Sequence, residues 1–363
     1  MAPNAPSPST GASRWRPRAS ASRRSRSARG FEAGTIMNKQ RGFTLVELMI
    51  AMVLGLVVIG GVINIFIANR EAYRIQQNLS HIMDNARISF ELMARDVREA
   101  GANACGTSLI VNVLKKASDN WWSNWAQGGL VGLGPTQDEG PVVFGSSVGS
   151  RVNGTEALTI RSAGGGSAQM ITQHNPASAQ FNIRGPNLEF APNDIVMVCD
   201  DQSAAIFQVT NANSSNVTIV HNVGTGTPGN CSKGLGYADP VLCTPNGTPK
   251  TFKDGGFLVK LNASFWYIGN NGHGGRSLYT FGMNGSTAMQ TIEIAEGVSN
   301  MTLAYLPFGG ADYLPAASIV NWPQVMAVRM TLTLQSSETV GVDHQALTRQ
   351  MVHTVYLRNQ TQL

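Results

Sequence analysis

Arg41-Gly42-Phe43-Thr44-Leu45-Val46-Glu47-Leu48 opens a run that continues through Met49-Ile50-Ala51-Met52-Val53-Leu54-Gly55-Leu56 to Ala68. From Phe43 to Ala68 the one ionisable side chain is Glu47 and the one amide is Asn64. At about 1.5 Å per residue the run makes roughly 39 Å of helix. That exceeds a hydrocarbon core about 30 Å thick. Lys39 and Arg41 lie just before it and favour a cytoplasmic N-terminal end. Glu47 is the anomaly: an acid at bilayer depth costs a few kcal/mol and by default marks a function with a partner. An ordinary signal anchor or a removed signal peptide would also start with an apolar run. This one is too long for a signal h-region and is not closed by a clean small-x-small site.

Downstream of Ala68 the helical pattern turns amphipathic. Ile75, Leu79, Ile82, Ala86, Phe90, Met93, Val97 and Ala100 recur at steps of three and four, while Arg70, Glu71, Arg74, Asp84, Arg87, Glu91, Arg95 and Arg98 fall largely elsewhere. Gly101 is the expected C-terminal stop. The spacing therefore predicts one nearly continuous helix over 43–100, with 43–68 in the membrane or a filament core and 69–101 laid against a domain. Gly55, Gly60 and Gly61 weaken the apolar half, by about 1 kcal/mol each relative to Ala. They also permit close approach of neighbouring helices.

Composition bounds the rest. Charged residues make up 13% of the 363, well below the usual quarter, and 39 are Gly, which suits a loop-rich extracytoplasmic β domain better than a cytosolic enzyme. The net charge of +5 is carried by the N-terminal segment. Residues 1–42 hold nine Lys/Arg and one acid, leaving 18 basic against 21 acidic residues from Phe43 onward, a net of −3. Residues 43–363 thus give no electrostatic case for nucleic acid. Residues 1–36 are Ser/Arg/Ala/Pro-rich and can build no core. Met37 is the expected translation start, with 37–42 as a short leader.

From 156 onward short strand-like runs alternate with Gly/Asn/Pro turns. The runs are Ala157–Arg161, Asp194–Cys199, Ala205–Thr210, Val217–His221, Phe257–Ile268, Ser277–Gly282, Met289–Ile294, Asn300–Leu306, Val325–Gln335 and Gln350–Leu357. Asn270-Asn271-Gly272 reads as a hairpin turn. No helix–strand–helix rhythm appears, so the sheet should be mainly antiparallel. The fold class expected is α+β, with the long helix packed on a β-rich domain over 102–363. Residues 102–155 are the least legible. Within them Trp121, Trp122 and Trp125 are either an exposed docking surface or a loop tucked over the sheet.

Cys105, Cys199, Cys231 and Cys243, behind an export segment, are disulfide candidates with three possible pairings. Cys231 and Cys243 flank a Gly/Pro-rich loop and could close it locally, in which case Cys105 and Cys199 would tie the helix end to a strand. Other motifs fail. Gly145-Ser-Ser147-Val-Gly149 has no helix after it, as a nucleophile elbow needs. Gly224-Thr-Gly226-Thr-Pro228-Gly229 is followed by Asn230-Cys231, and Pro228 forbids the phosphate-cradling helix. His81, His174, His221, His273, His344 and His353 show no metal spacing, and Asp200, Asp201 and Asp254 lack an EF-hand frame. No catalytic site, metal or cofactor is expected.

Gly42-Phe43-Thr44-Leu45-Val46-Glu47 resembles the processing site of type IV prepilins and pseudopilins. The resemblance implies cleavage after Gly42 by a prepilin peptidase and methylation of the new amine of Phe43. It also implies that Glu47 pairs with the Phe43 amine of a neighbouring subunit. Later stretches, Arg98–Cys105, Val198-Cys199-Asp200, Ile294–Tyr305, Trp322–Arg329 and Val355–Asn359, resemble the PilW-type minor pilins and in part the J-type minor pseudopilins of type II secretion. This resemblance implies a non-enzymatic subunit in the inner membrane, its C-terminal domain in the periplasm. It would enter a pilus, at the tip, with other minor pilins, the major pilin and a possible tip adhesin. The rival expectation is a membrane-anchored adhesive domain using Trp121–Trp125.

Overall fold

A single α-helix, α1, runs from Leu45 to Glu99 in the computed structural model, which describes residues 42–164, 168–213, 217–224, 226–340 and 345–359. The expected leader up to Arg41, with its start at Met37 and Lys39, and also His344 lie outside the described residues. The chain divides into two compact units, with the boundary between Val62 and Ile63. In the first unit α1 exposes its large apolar side chains on every side, from Leu45 to Val62. In the second, one stripe is buried: Ile82, Ala86, Met93, Ala94 and Val97, followed by Ala100. Burying each of the larger ones is worth about 1.5–3 kcal/mol. The helix stops because Gly101 takes φ +72°, the left-handed conformation, and its N–H turns to the carbonyl of Arg161 at 2.8 Å.

Sixteen strands follow among the described residues: β1 (Ile110–Asn112), β2 (Leu130–Leu133), β3 (Ala157–Ser162), β4 (Gln169–Asn175), β5 (Gln180–Ile183), β6 (Ile195–Cys199), β7 (Ala204–Gln208) and β8 (Asn211–Ala212). Next come β9 (Thr218–Val220), β10 (Phe257–Lys260), β11 (Asn262–Asn270), β12 (Arg276–Asn284), β13 (Gln290–Glu296), β14 (Val298–Pro307), β15 (Val325–Val340) and β16 (Gln345–Tyr356). They form an eight-stranded sheet ordered β1-β7-β6-β10-β4-β5-β9-β8, a five-stranded sheet β13-β12-β11-β3-β2 and a three-stranded sheet β14-β15-β16. Every strand pair is antiparallel except β1 with β7. The α+β architecture, a long helix packed on mainly antiparallel sheet, is therefore as the sequence implies.

The stripe of α1 packs on the inner faces of the five- and three-stranded sheets, against Leu158, Trp266, Leu303, Met330 and Leu332 among others. Asp96 fixes the register, because Ser264 Oγ and Trp266 Nε1 both donate to its Oδ2 at 3.1 Å. A separate core of Phe181, Phe207, Phe252 and aliphatic neighbours lies under the eight-stranded sheet.

One expected strand is corrected. Phe257–Ile268 is not continuous but breaks at Leu261, whose N–H bonds the Ile195 carbonyl. β10 pairs with β4 and β6 in the large sheet, whereas β11 pairs with β3 and β12 in another. A nearly unbroken apolar run reads as one strand because both halves are buried, and the hydrophobic pattern carries no mark of a change of sheet.

Candidate processing and assembly site

Thr44 begins the site. Its carbonyl accepts the first helical N–H, from Leu48, and its Oγ1 accepts the N–H of Glu47 at 3.2 Å. Thr44 is thus the N-cap, and Glu47 stands three residues on, the spacing of a capping box. This local role is readable in Thr-x-x-Glu but hides behind the more conspicuous oddity of an acid in an apolar run. A carboxylate in the first turn also meets the positive end of the helix dipole. The side chain of Glu47 nevertheless has no bonding partner among the described residues and stays exposed. Gly42 and Phe43 precede the helix as non-helical chain, with Phe43 83% exposed. The Gly42–Phe43 bond therefore lies in exposed chain ahead of the helix, with Glu47 four residues beyond Phe43.

The helix behind this end is long and apolar enough to cross a membrane, and its apolar part is exposed. A helix that is apolar all round belongs in lipid or among other helices.

The structure also places the other sequence candidates. Trp121 lies between Phe265 and Phe281, with ring centroids 6.3 and 6.0 Å away, and Trp122 is buried. Trp125 packs partly buried against the same core. The loop is pinned by the buried Arg161, which donates to the carbonyls of Trp121 and Gly128. The Trp cluster is therefore packing, and an exposed aromatic docking face is not what these residues form. Burial holds Arg161 to about 10, below the ordinary arginine range. Ser147 sits in a loop that closes at Gly149, and Gly226 in one that closes against Gln208, so neither glycine motif leads into a helix. Asp200 and Asp201 are paired with Lys250 and Lys253. Cys105 is joined to Cys199, and Cys231 to Cys243.

Sequence spacing misses one pair. His174 on β4 and His221 after β9 meet in the second core, Nε2 to Nε2 at 3.2 Å, packed against Phe181, Phe207 and Phe252. Phe252 N–H donates to Nδ1 of His174, so the proton of that ring is on Nε2 and donates to Nε2 of His221. Both rings are neutral. Burial lowers His174 to about 4, and burial with the neighbouring ring lowers His221 to about 3. The accepted N–H at Nδ1 argues against a metal at Nε2 of His174, which would have to be an imidazolate. No group of three or more His, Cys, Asp or Glu suited to a metal occurs among the described residues.

Comparison with known proteins bears on the helix end. No curated protein and no solved structure matches the chain. Residues 37–63 match the family described as the prokaryotic N-terminal methylation motif. Together with one long apolar helix and a mainly antiparallel sheet domain, that type IV pilin-like leader supports a type IV pilin or pseudopilin, processed by a prepilin peptidase and assembled with other pilins.

Proposed function

We propose that the chain is a PilW-type minor pilin that helps prime pilus assembly in a tip complex, and that it is a structural subunit without catalytic chemistry. The observation that carries this reading is the junction at 42–47: an accessible Gly42–Phe43 bond, a capped helix start and a carboxylate at Glu47 with no partner among the described residues, opening an apolar helix with no cover of its own. After cleavage, Phe43 begins the mature chain. The helix waits in the inner membrane and moves on extraction from lipid into a bundle of like helices. There the methylated amine of Phe43 on a neighbour neutralises Glu47. Such a pair sets register more surely than it adds net stability. The large sheet domain supports a tip position, since it is bulky for stacking along a whole filament.

Mass spectrometry of the mature N-terminus tests the first half, with N-methylated Phe43 as the expected species. An uncleaved chain, or one cut elsewhere, would refute it. Immunogold labelling of pili tests the second half: label confined to ends is expected, and label along the shaft would sink the tip assignment.

A further inference from the structure

The three-stranded sheet treats its two edges differently. On the β14 side outward main-chain groups are engaged at two places along the strand. Leu303 N–H donates to the carboxylate of Glu156, and Tyr305 exchanges both backbone bonds with Leu314. On the β16 side the ladder itself fixes which groups point out. Leu357 N–H bonds the Met326 carbonyl, and Ala327↔Tyr356, Arg329↔Thr354 and Thr331↔Val352 are opposed in register. Odd-numbered residues of β16 therefore bond to β15, and the N–H and C=O groups of Gln350, Val352, Thr354 and Tyr356 point away from the sheet. None of those four has an outward backbone partner among the described residues. Only beyond the strand does an outward group find one, where Arg358 N–H meets the Arg98 carbonyl at the end of α1.

An open edge of this length is a template for pairing, and folds normally blunt it with proline, a bulge or an inward charge. Gln350–Tyr356 has none of these, spans about 23 Å at 3.3 Å per residue, and presents Val352 at 60% and Tyr356 at 62% exposure. Residues 345–359 carry Arg349 and Arg358 and no carboxylate. On the same outer face Arg329 lies 3.9 Å over the ring of Tyr313. The charge selects a neutral or acidic strand. This chain's own acidic edge, β13, has Glu293 engaged by Ser277 and Glu296 by His273, so a second copy is the poorer fit.

We propose that the outer edge of β16, Gln350–Tyr356, takes an extended, acidic or neutral strand from a different pilin subunit and continues the sheet across the interface. This rests on the pilin reading, which makes other pilins the neighbours. A subunit whose apolar helix runs parallel to α1 would bring its own sheet to the same level, near Arg98. Main-chain bonds then provide attachment and the outer side chains Val352, Thr354 and Tyr356 provide selectivity.

The test uses the full chain co-expressed with the major and minor pilins of its own assembly system. A photo-crosslinker, p-benzoylphenylalanine, replaces Thr354, and adducts are mapped by mass spectrometry. The expected adduct joins position 354 to a strand of another pilin. Val352→Pro removes one outward N–H that the fold does not use and should cut the adduct about tenfold while leaving the circular dichroism unchanged. If that variant does not fold, amide exchange of the unmutated chain decides: Gln350, Val352 and Thr354 should slow by about 100-fold in the assembled complex. A folded Val352→Pro chain that cross-links undiminished, amides that stay fast on assembly, or an adduct to a second copy or a non-pilin protein overturns the proposal. A chain that is processed and enters pili without any adduct at 354 sinks this proposal alone. A chain never processed at Gly42 sinks the pilin reading instead.

Discussion

Lowering the pH from 7.5 to 5.5 should remove about 2.7 kcal/mol of stability through His174 and His221 alone. In the unfolded chain both rings titrate near 6.5, so at pH 5.5 each is about ten parts protonated to one part neutral. In the fold they titrate at about 4 and about 3 and stay neutral. Folding must therefore strip a proton from each ring, costing about 1.4 kcal/mol apiece at pH 5.5 and almost nothing at 7.5. A depressed folded value means the stabilisation is complete above 6.5 and is lost as the pH falls toward 4 and 3. Both rings are shielded, at 6% and 0% exposure, so solvent does not relieve the cost. Urea unfolding at the two pH values measures the loss. The double variant His174→Asn, His221→Phe, whose asparagine can still accept from Phe252, isolates it from titrating carboxylates. If the variant loses as much stability between pH 7.5 and 5.5 as the wild type, the reasoning is refuted.

Three further outcomes concern other parts of the molecule. Glu47→Ala should leave N-methylated Phe43 intact yet lower the chain's recovery in sheared pili at least severalfold, and undiminished recovery would contradict a pairing role. Opening Cys105–Cys199 by double Ser substitution should cost about 4–5 kcal/mol because that bridge closes a 94-residue separation, against about 3 for Cys231–Cys243 across 12, as read from thermal melts. Gly129→Ala should destabilise by about 2–4 kcal/mol, since its Cβ would fall 2.0 Å from the backbone nitrogen of Gly101, a group with no room to move; a melting temperature within a degree of wild type would show the helix stop to be looser than described.

The parts of this fold that are legible in sequence are those where one physical demand dominates. Ile82, Ala86, Met93 and Val97 show the helical period because one stripe faces sheet, and Gly101 marks the stop because only a residue at ease in the left-handed region closes the helix there. Val328, Met330, Leu332 and Leu334 alternate because one face of β15 is buried. The Asn270–Gly272 stretch does turn a hairpin between β11 and β12. Legibility fails where pairing replaces pattern. β1 and β2 are three and four residues long and lie in a Trp- and Gly-rich stretch whose order comes from Arg161 and distant carbonyls. β4 alternates poorly because Gln173 and His174 serve different neighbours. The His174–His221 contact joins residues 47 apart through β5, which pairs with both β4 and β9, and no spacing rule reaches across such a register.

At the processing site the same contrast holds. Glu47 stands out because an acid in an apolar run is costly, and Gly42 and Phe43 stand out through the resemblance to a prepilin processing site. Thr44, the residue whose Oγ1 organises the helix start, looks ordinary. Its contribution is a hydrogen bond from Glu47 N–H, which the Thr-x-x-Glu spacing permits and the helix boundary makes definite.

The Cys105–Cys199 bridge has a mechanical consequence. Tension applied along α1 leaves the helix at Gly101 and within four residues reaches Cys105, where a covalent bond carries it into the middle of the eight-stranded sheet at the end of β6. The backbone of residues 106–198 is then in parallel with the load and cannot be drawn out between its ends while the bridge holds. That stretch contains the Trp-rich segment, β3, β4 and β5. A pulling experiment on the wild-type chain would therefore give a contour length shorter by about 94 residues, roughly 310 Å at 3.3 Å each, than one on a Cys105→Ser, Cys199→Ser chain that keeps the second bridge. The bridge works as a covalent bypass: the part of the domain that depends on scattered carbonyl contacts feels load through its hydrogen bonds to β9, β10 and β11.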